Sequence, residues 1–135
     1  MDYCINIDSV EMFGSFCLKF NDAFFPFDDW TDFIFSIIKD WVFVLKENLY
    51  KEYSTFKLYF MDGPYYLNCT KQNNNILIFG VRDEDYSIFL GEMEYSEFVN
   101  KTLDVGRTIV KKASIEKIEN LEISELRKKL DCFYC

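Results

Sequence analysis

Four short runs rich in β-branched and aromatic residues, 54–61, 65–70, 76–82 and 86–94, follow one another with little chain between them. The separators are Asp62-Gly63-Pro64, Gln72-Asn73-Asn74-Asn75 and Asp83-Glu84-Asp85. Each is turn chemistry, because Gly and Asn tolerate positive φ and an Asp side chain can close a turn on its own backbone. Connections this short join antiparallel neighbours, since a parallel pair needs a long crossover. The middle of the chain is therefore expected to be a four-stranded meander. In its first run Phe56, Leu58 and Phe60 alternate with Lys57, Tyr59 and Met61, which marks one core face. In the third, Leu77, Phe79 and Val81 oppose Ile76 and Ile78, so both faces are apolar and that strand is expected to be central.

Before the meander, residues 3–20 alternate as two short strands turning near Asp8-Ser9 or Gly14, and 21–27 reads as an aromatic loop fixed by Pro26. Asp28 or Asp29 then offers a carboxylate to cap a helix over 30–48. Trp30, Ile34, Ile37, Ile38, Trp41 and Leu45 belong to an apolar surface that wraps most of this helix, so it is expected to be the core helix. Asp32, Ser36, Lys39, Asp40, Lys46 and Glu47 fall on one narrow polar stripe with Phe43 in its middle.

After the meander, Ser96 is expected to cap a second amphipathic helix reaching 117, with Phe98, Leu103, Gly106 and Ile109 on its packed face. A third helix over 121–130, resting on Leu126 and Leu130, leads to a loose tail at 131–135. The expected fold class is α+β in the order ββ-α-ββββ-α-α, an antiparallel sheet with helices on one face. Residues 1–135 form a single domain in this reading, with 121–135 as a helical appendage.

The chain carries 23 acidic and 15 basic residues, a formal net charge of −8. Such a surface repels phosphate backbones and speaks against nucleic-acid binding, while it steers a basic protein into contact. The longest apolar stretch, 33–45, is broken by Lys39 and Asp40 and is too short to span a membrane. No basic segment followed by an apolar run opens the sequence, and the five cysteines are an odd number among apolar neighbours. The expected setting is the cytoplasm, with thiols reduced.

Chemistry is scarce. The chain has no histidine, which removes Ser-His-Asp and Cys-His catalysis together with the commonest metal ligand. Cys4, Cys17 and Cys69 sit in expected strands, and Cys132 and Cys135 make only half of a zinc-site pattern at the end of the chain. Gly63, Gly80, Gly91 and Gly106 are isolated, so no phosphate-cradling loop is present. No catalytic residue, metal ligand or cofactor site is expected, and the chain reads as a non-enzyme.

What remains is surface. The segment from Phe27 through Asp28-Asp29-Trp30-Thr31-Asp32 to Phe33, running into Trp41, and then Phe60-Met61-Asp62-Gly63-Pro64-Tyr65, resembles small acidic bacterial immunity-type proteins of polymorphic and contact-dependent toxin systems. The resemblance covers roughly residues 24–70. It implies a non-enzymatic inhibitor that binds one cognate toxin domain, often a nuclease, through an acidic surface, and it assigns no contact residues. From the residues themselves, Asp28, Asp29, Asp32 and Asp40 around Phe43 form the expected partner surface, an anchor with a charged rim. Coverage of Phe43 by the C-terminal helix or a loop is the alternative. The acidic turn Asp83-Glu84-Asp85 is the next candidate surface. Two other functions stay open: an interaction or scaffolding module, monomeric or weakly homodimeric through a sheet edge, and a small-ligand-binding protein with an aromatic pocket.

Overall fold

In a computed structural model, which describes residues 1–6, 13–21, 23–28, 30–84 and 86–134, eight strands and three helices run in the order ββββ-α-ββββ-α-α. The α+β class holds, but the strands form two antiparallel sheets where one was expected. The first sheet contains β1 (Asp2–Asn6), β2 (Phe13–Phe20), β3 (Ala23–Phe25) and β4 (Thr31–Phe33). Strand β2 is its centre: β1 pairs along one side, while β3 and β4 divide the other. The turn expected near Asp8-Ser9 lies outside the described residues.

Strand β4 corrects the start of the first helix. Helix α1 spans Ile34–Glu47, so Trp30 to Phe33 are not helical, and no side chain caps its first turn. Asp28 is exposed in the preceding loop, and Asp29 lies outside the described residues. The cause is Asp32, which is 0% exposed. Its carboxylate accepts hydrogen bonds from Trp30 Nε1 at 2.8 Å, Phe33 N at 2.7 Å, Met61 N at 3.1 Å and Asp62 N at 3.0 Å. Charge-assisted bonds of this kind are worth more than the few tenths of a kcal/mol per residue that helix propensity offers, so 31–33 stay extended.

The second sheet is the expected meander, β5 (Tyr53–Tyr59), β6 (Tyr66–Gln72), β7 (Asn75–Asp83) and β8 (Tyr86–Glu94), in that spatial order. Its inner face carries the cross-strand rows Phe56–Cys69–Ile78–Gly91 and Leu58–Leu67–Gly80–Ile88. Phe25 of the first sheet lies against Gly80, where a Cβ would stand 2.5 Å from its ring, so only glycine permits the two sheets to approach this closely. Arg82 fastens the same junction. It donates to Pro26 O at 2.8 Å and Phe24 O at 3.2 Å, with its guanidinium over the rings of Phe25 and Phe27. Trp41 of α1 sits at the meeting point of sheets and helix, edge-on to Phe16 and Phe60, and donates to Tyr59 O at 2.9 Å.

Helices α2 (Tyr95–Ile115) and α3 (Leu121–Asp131) pack on α1 and on each other. Asn74, in the β6–β7 turn, caps α2 in place of Ser96: its carbonyl accepts from Tyr95 N at 2.8 Å and its Oδ1 from Ser96 N at 3.2 Å. Asn120 caps α3 by accepting from Ile123 N at 3.0 Å. Ile123, Leu126 and Leu130 are buried, and Leu130 rests on Gly106 of α2. The expectation of a loose tail fails as well. Phe133 is 1% exposed, and Tyr134 Oη donates to Asn100 Oδ1 at 3.1 Å, so burial of one aromatic ring anchors the end of α3. Cys135 lies outside the described residues. Among the described residues no helix is long and apolar enough to cross a membrane.

Candidate protein-binding surface

The stripe expected to meet a partner on α1 is largely spent inside the molecule. Ser36 Oγ donates to Glu122 at 2.8 Å, Lys39 pairs with Glu122 at 3.5 Å and Glu125 at 3.4 Å, and Lys46 Nζ donates to Cys132 O at 2.6 Å. All four of these contacts are made by α3 or the turn after it. Burial pulls the Lys39 ammonium toward its neutral form, but the two glutamates outweigh it and hold the pKa above the usual lysine value. Asp40 remains exposed, and burial of its carboxyl pushes its pKa up, with Lys39 pulling back. Phe43 is 48% exposed, and Lys129 of α3 lies over its ring at 4.7 Å. Asp32 is no surface residue at all; its carboxylate is consumed by the four donors described above. Asp28 is exposed on a loop that precedes β4 and takes no part in the α1 surface. Asp28, Asp32, Asp40 and Phe43 of the expected set are therefore not brought together, and Asp29 lies outside the described residues.

The outer face of the second sheet is different. Its rows are Tyr59–Tyr66–Val81–Ser87, Lys57–Asn68–Phe79–Phe89 and Thr55–Thr70–Leu77–Glu92. Phe89 is 54% exposed and stacks edge-on against Phe79 at 5.3 Å, while Tyr59 lies 5.4 Å from Tyr66. Lys57 covers one ring, with its ammonium 5.0 Å from the centroid of Tyr66. In the same row as Phe79, the Asn68 Oδ1 is buried without a hydrogen-bond partner among the described residues. A buried acceptor of this kind normally finds a donor. Beside the rings, the β7–β8 turn holds Asp83 and Glu84 out into solvent, and Asp85 lies outside the described residues. A groove of about 550 Å³ runs between this turn and Tyr59, Tyr66 and Pro64.

Aromatic rings with a charged rim are the usual anatomy of a protein interface. The signal was present in the sequence as the second apolar face of 76–82, but such a face reads equally well as a buried strand. Segments 27–33 and 60–65 meet in space. Asp32 binds the backbone of Met61 and Asp62, and Trp30 stands edge-on to Tyr65 at 5.0 Å, so those motifs form one structural clasp.

Cys17 and Cys69 are buried, and burial pushes the Cys69 thiol far above its ordinary value, away from the nucleophilic thiolate. Among the described residues no cluster of carboxylates and thiols is arranged to hold a metal ion. No protein-family model, curated protein or solved structure matches this chain.

Proposed function

We propose that this chain is a non-enzymatic, immunity-type inhibitor that acts in the cytoplasm and holds one basic toxin domain inactive by covering it. The observation that carries the reading is the uncovered outer face of the second sheet, where Tyr59, Tyr66, Phe79 and Phe89 stand beside the exposed carboxylates of Asp83, Glu84 and Glu92. The rings supply anchors that lose little side-chain freedom on binding, and a net charge of −8 speeds encounter with a cationic partner. The rigid sheet beneath, closed on its inner face by Phe56, Leu58, Leu67 and Ile78, keeps the surface preorganised.

The test starts with capture of the tagged chain's partner from cells of its own source, followed by expression of that partner alone. Growth arrest by the partner, relieved by co-expression of this chain but not of its Phe79→Ser/Phe89→Ser variant, is the expected result. A partner that is harmless alone, or recovery of this chain without any basic protein, overturns the reading.

A further inference from the structure

The two edges of the second sheet are treated differently. At edge β5 the Tyr59 carbonyl accepts from Trp41 of α1, and Lys71 Nζ bonds the Lys51 carbonyl just before the strand. Among the described residues, edge β8 ends the sheet with no strand beyond it, and none of its nine residues is fully buried. Beside it runs a groove of about 570 Å³, walled on one side by Leu90, Gly91 and Met93 and on the other by Met1 and Phe20 of the first sheet. Glu92, Glu94 and Glu97 line the same groove, and no lysine or arginine among the described residues forms an ion pair with them.

We propose that an extended, lysine- or arginine-bearing segment of the basic partner adds to β8 as a further strand; this rests on the inhibitor reading above. An unpaired edge offers main-chain donors and acceptors to any strand, so the side chains must choose the occupant. On the outer face an added strand meets Phe89, Glu92 and Glu94; on the inner face it meets Met93 and Phe20 across the groove. Alternating cationic and apolar residues fit that pattern. A second copy of this chain does not, because two β8 edges in register would set Glu92 and Glu94 against their own counterparts. The irregularity in register at Leu90 limits the added pairing to the Gly91–Glu94 side of the strand, where the groove lies.

The probe is a synthetic eight-residue peptide of alternating lysine and valine, added to the isotope-labelled full chain and followed by amide exchange. The expected result is slowed exchange within 91–94, at least tenfold weaker binding to the Glu92→Gln/Glu94→Gln variant, and no binding of a glutamate–valine peptide. Methylating the peptide's backbone nitrogens on alternate residues separates strand addition from simple charge attraction. In one phase the methyls face β8 and abolish binding; in the other they face away and leave it intact. Equal binding of both methylated peptides, an absence of protection in β8, or self-association of the free chain through β8 overturns the proposal. A partner that is neutralised as fully by Glu92→Gln/Glu94→Gln as by the parent chain sinks this inference alone. Failure to find any neutralised basic protein sinks the reading beneath it.

Discussion

Phe43 on α1 and Phe89 on β8 are nearly equally exposed, at 48% and 54%, and each is an aromatic ring among charged neighbours. Their surroundings nevertheless do opposite things. Around Phe43 the charges have found one another within the chain: Lys39 with Glu122 and Glu125, Lys46 with the Cys132 carbonyl, and Lys129 with the ring itself. Around Phe89 the neighbouring ring is Phe79, and among the described residues the buried Asn68 Oδ1 has no hydrogen-bond partner and Glu92 is engaged by Asn75 alone, at 2.6 Å. An aromatic ring with a charged rim marks a partner surface only where the rim is not already used. Sequence spacing places the ring and the charges but not the helix that neutralises them.

The largest effect belongs to the carboxylate that the spacing put on the α1 stripe and the fold put in the interior. Asp32→Ala strands four donors, three of them backbone amides, around a carboxylate that is itself fully buried. Each buried group left unsatisfied costs about 1–3 kcal/mol, and the losses do not add fully, so at least about 3 kcal/mol of stability should go. Asp40→Ala, eight positions on and exposed, should stay within about 0.5 kcal/mol. Urea unfolding midpoints of the two variants measure the difference directly. Similar midpoints would mean that the clasp between 30–33 and 61–62 holds nothing together.

Much of the fold was legible because it rests on local chemistry. The Gly, Asn and Asp turns fixed the β5–β8 meander, and the wide apolar face read over 30–48 marked the segment that holds α1 as central. Strands β3 and β4 were not legible, since three residues are too few for an alternation to register. The anchored tail was missed for a related reason: Phe133 is a single apolar residue, and nothing local says that its ring enters the core. At the surface, Asp83 and Glu84 were placed correctly in an exposed turn because turns are solvated by default. Asp32 was misplaced because helical phase assumes a helix, and 31–33 pair with β2.

The outer sheet face should then be sensitive in binding and insensitive in folding, the reverse of Asp32. Phe89→Ser removes a half-exposed ring, and its cost in stability should remain below about 1 kcal/mol. If that ring is an anchor, affinity for the captured partner should fall by about 2 kcal/mol, roughly 30-fold. Phe43→Ser should leave the affinity unchanged. Titration calorimetry with both variants decides between the two surfaces, and a loss confined to Phe43→Ser would reverse the comparison.

The smallest effect asks whether α3 really spends the charges of the α1 stripe. Lys39 is held protonated beyond its ordinary value by Glu122 and Glu125, against the pull of burial. A raised folded-state pKa means the ion pairs contribute fully below the unfolded lysine value of 10.5 and are lost as pH climbs through the folded one. Lys39→Met keeps the stem and removes the charge, so it should cost no more than about 1 kcal/mol at neutral pH. The gap in melting temperature between parent and variant should hold steady to about pH 10 and close above it. Tyrosine ionisation shifts both proteins together in that range and cancels in the difference. A gap that stays open at the highest pH would show that the side chain acts through packing alone. In that case α3 would lie on α1 without neutralising it, and the surface around Phe43 would regain the standing of the outer sheet face.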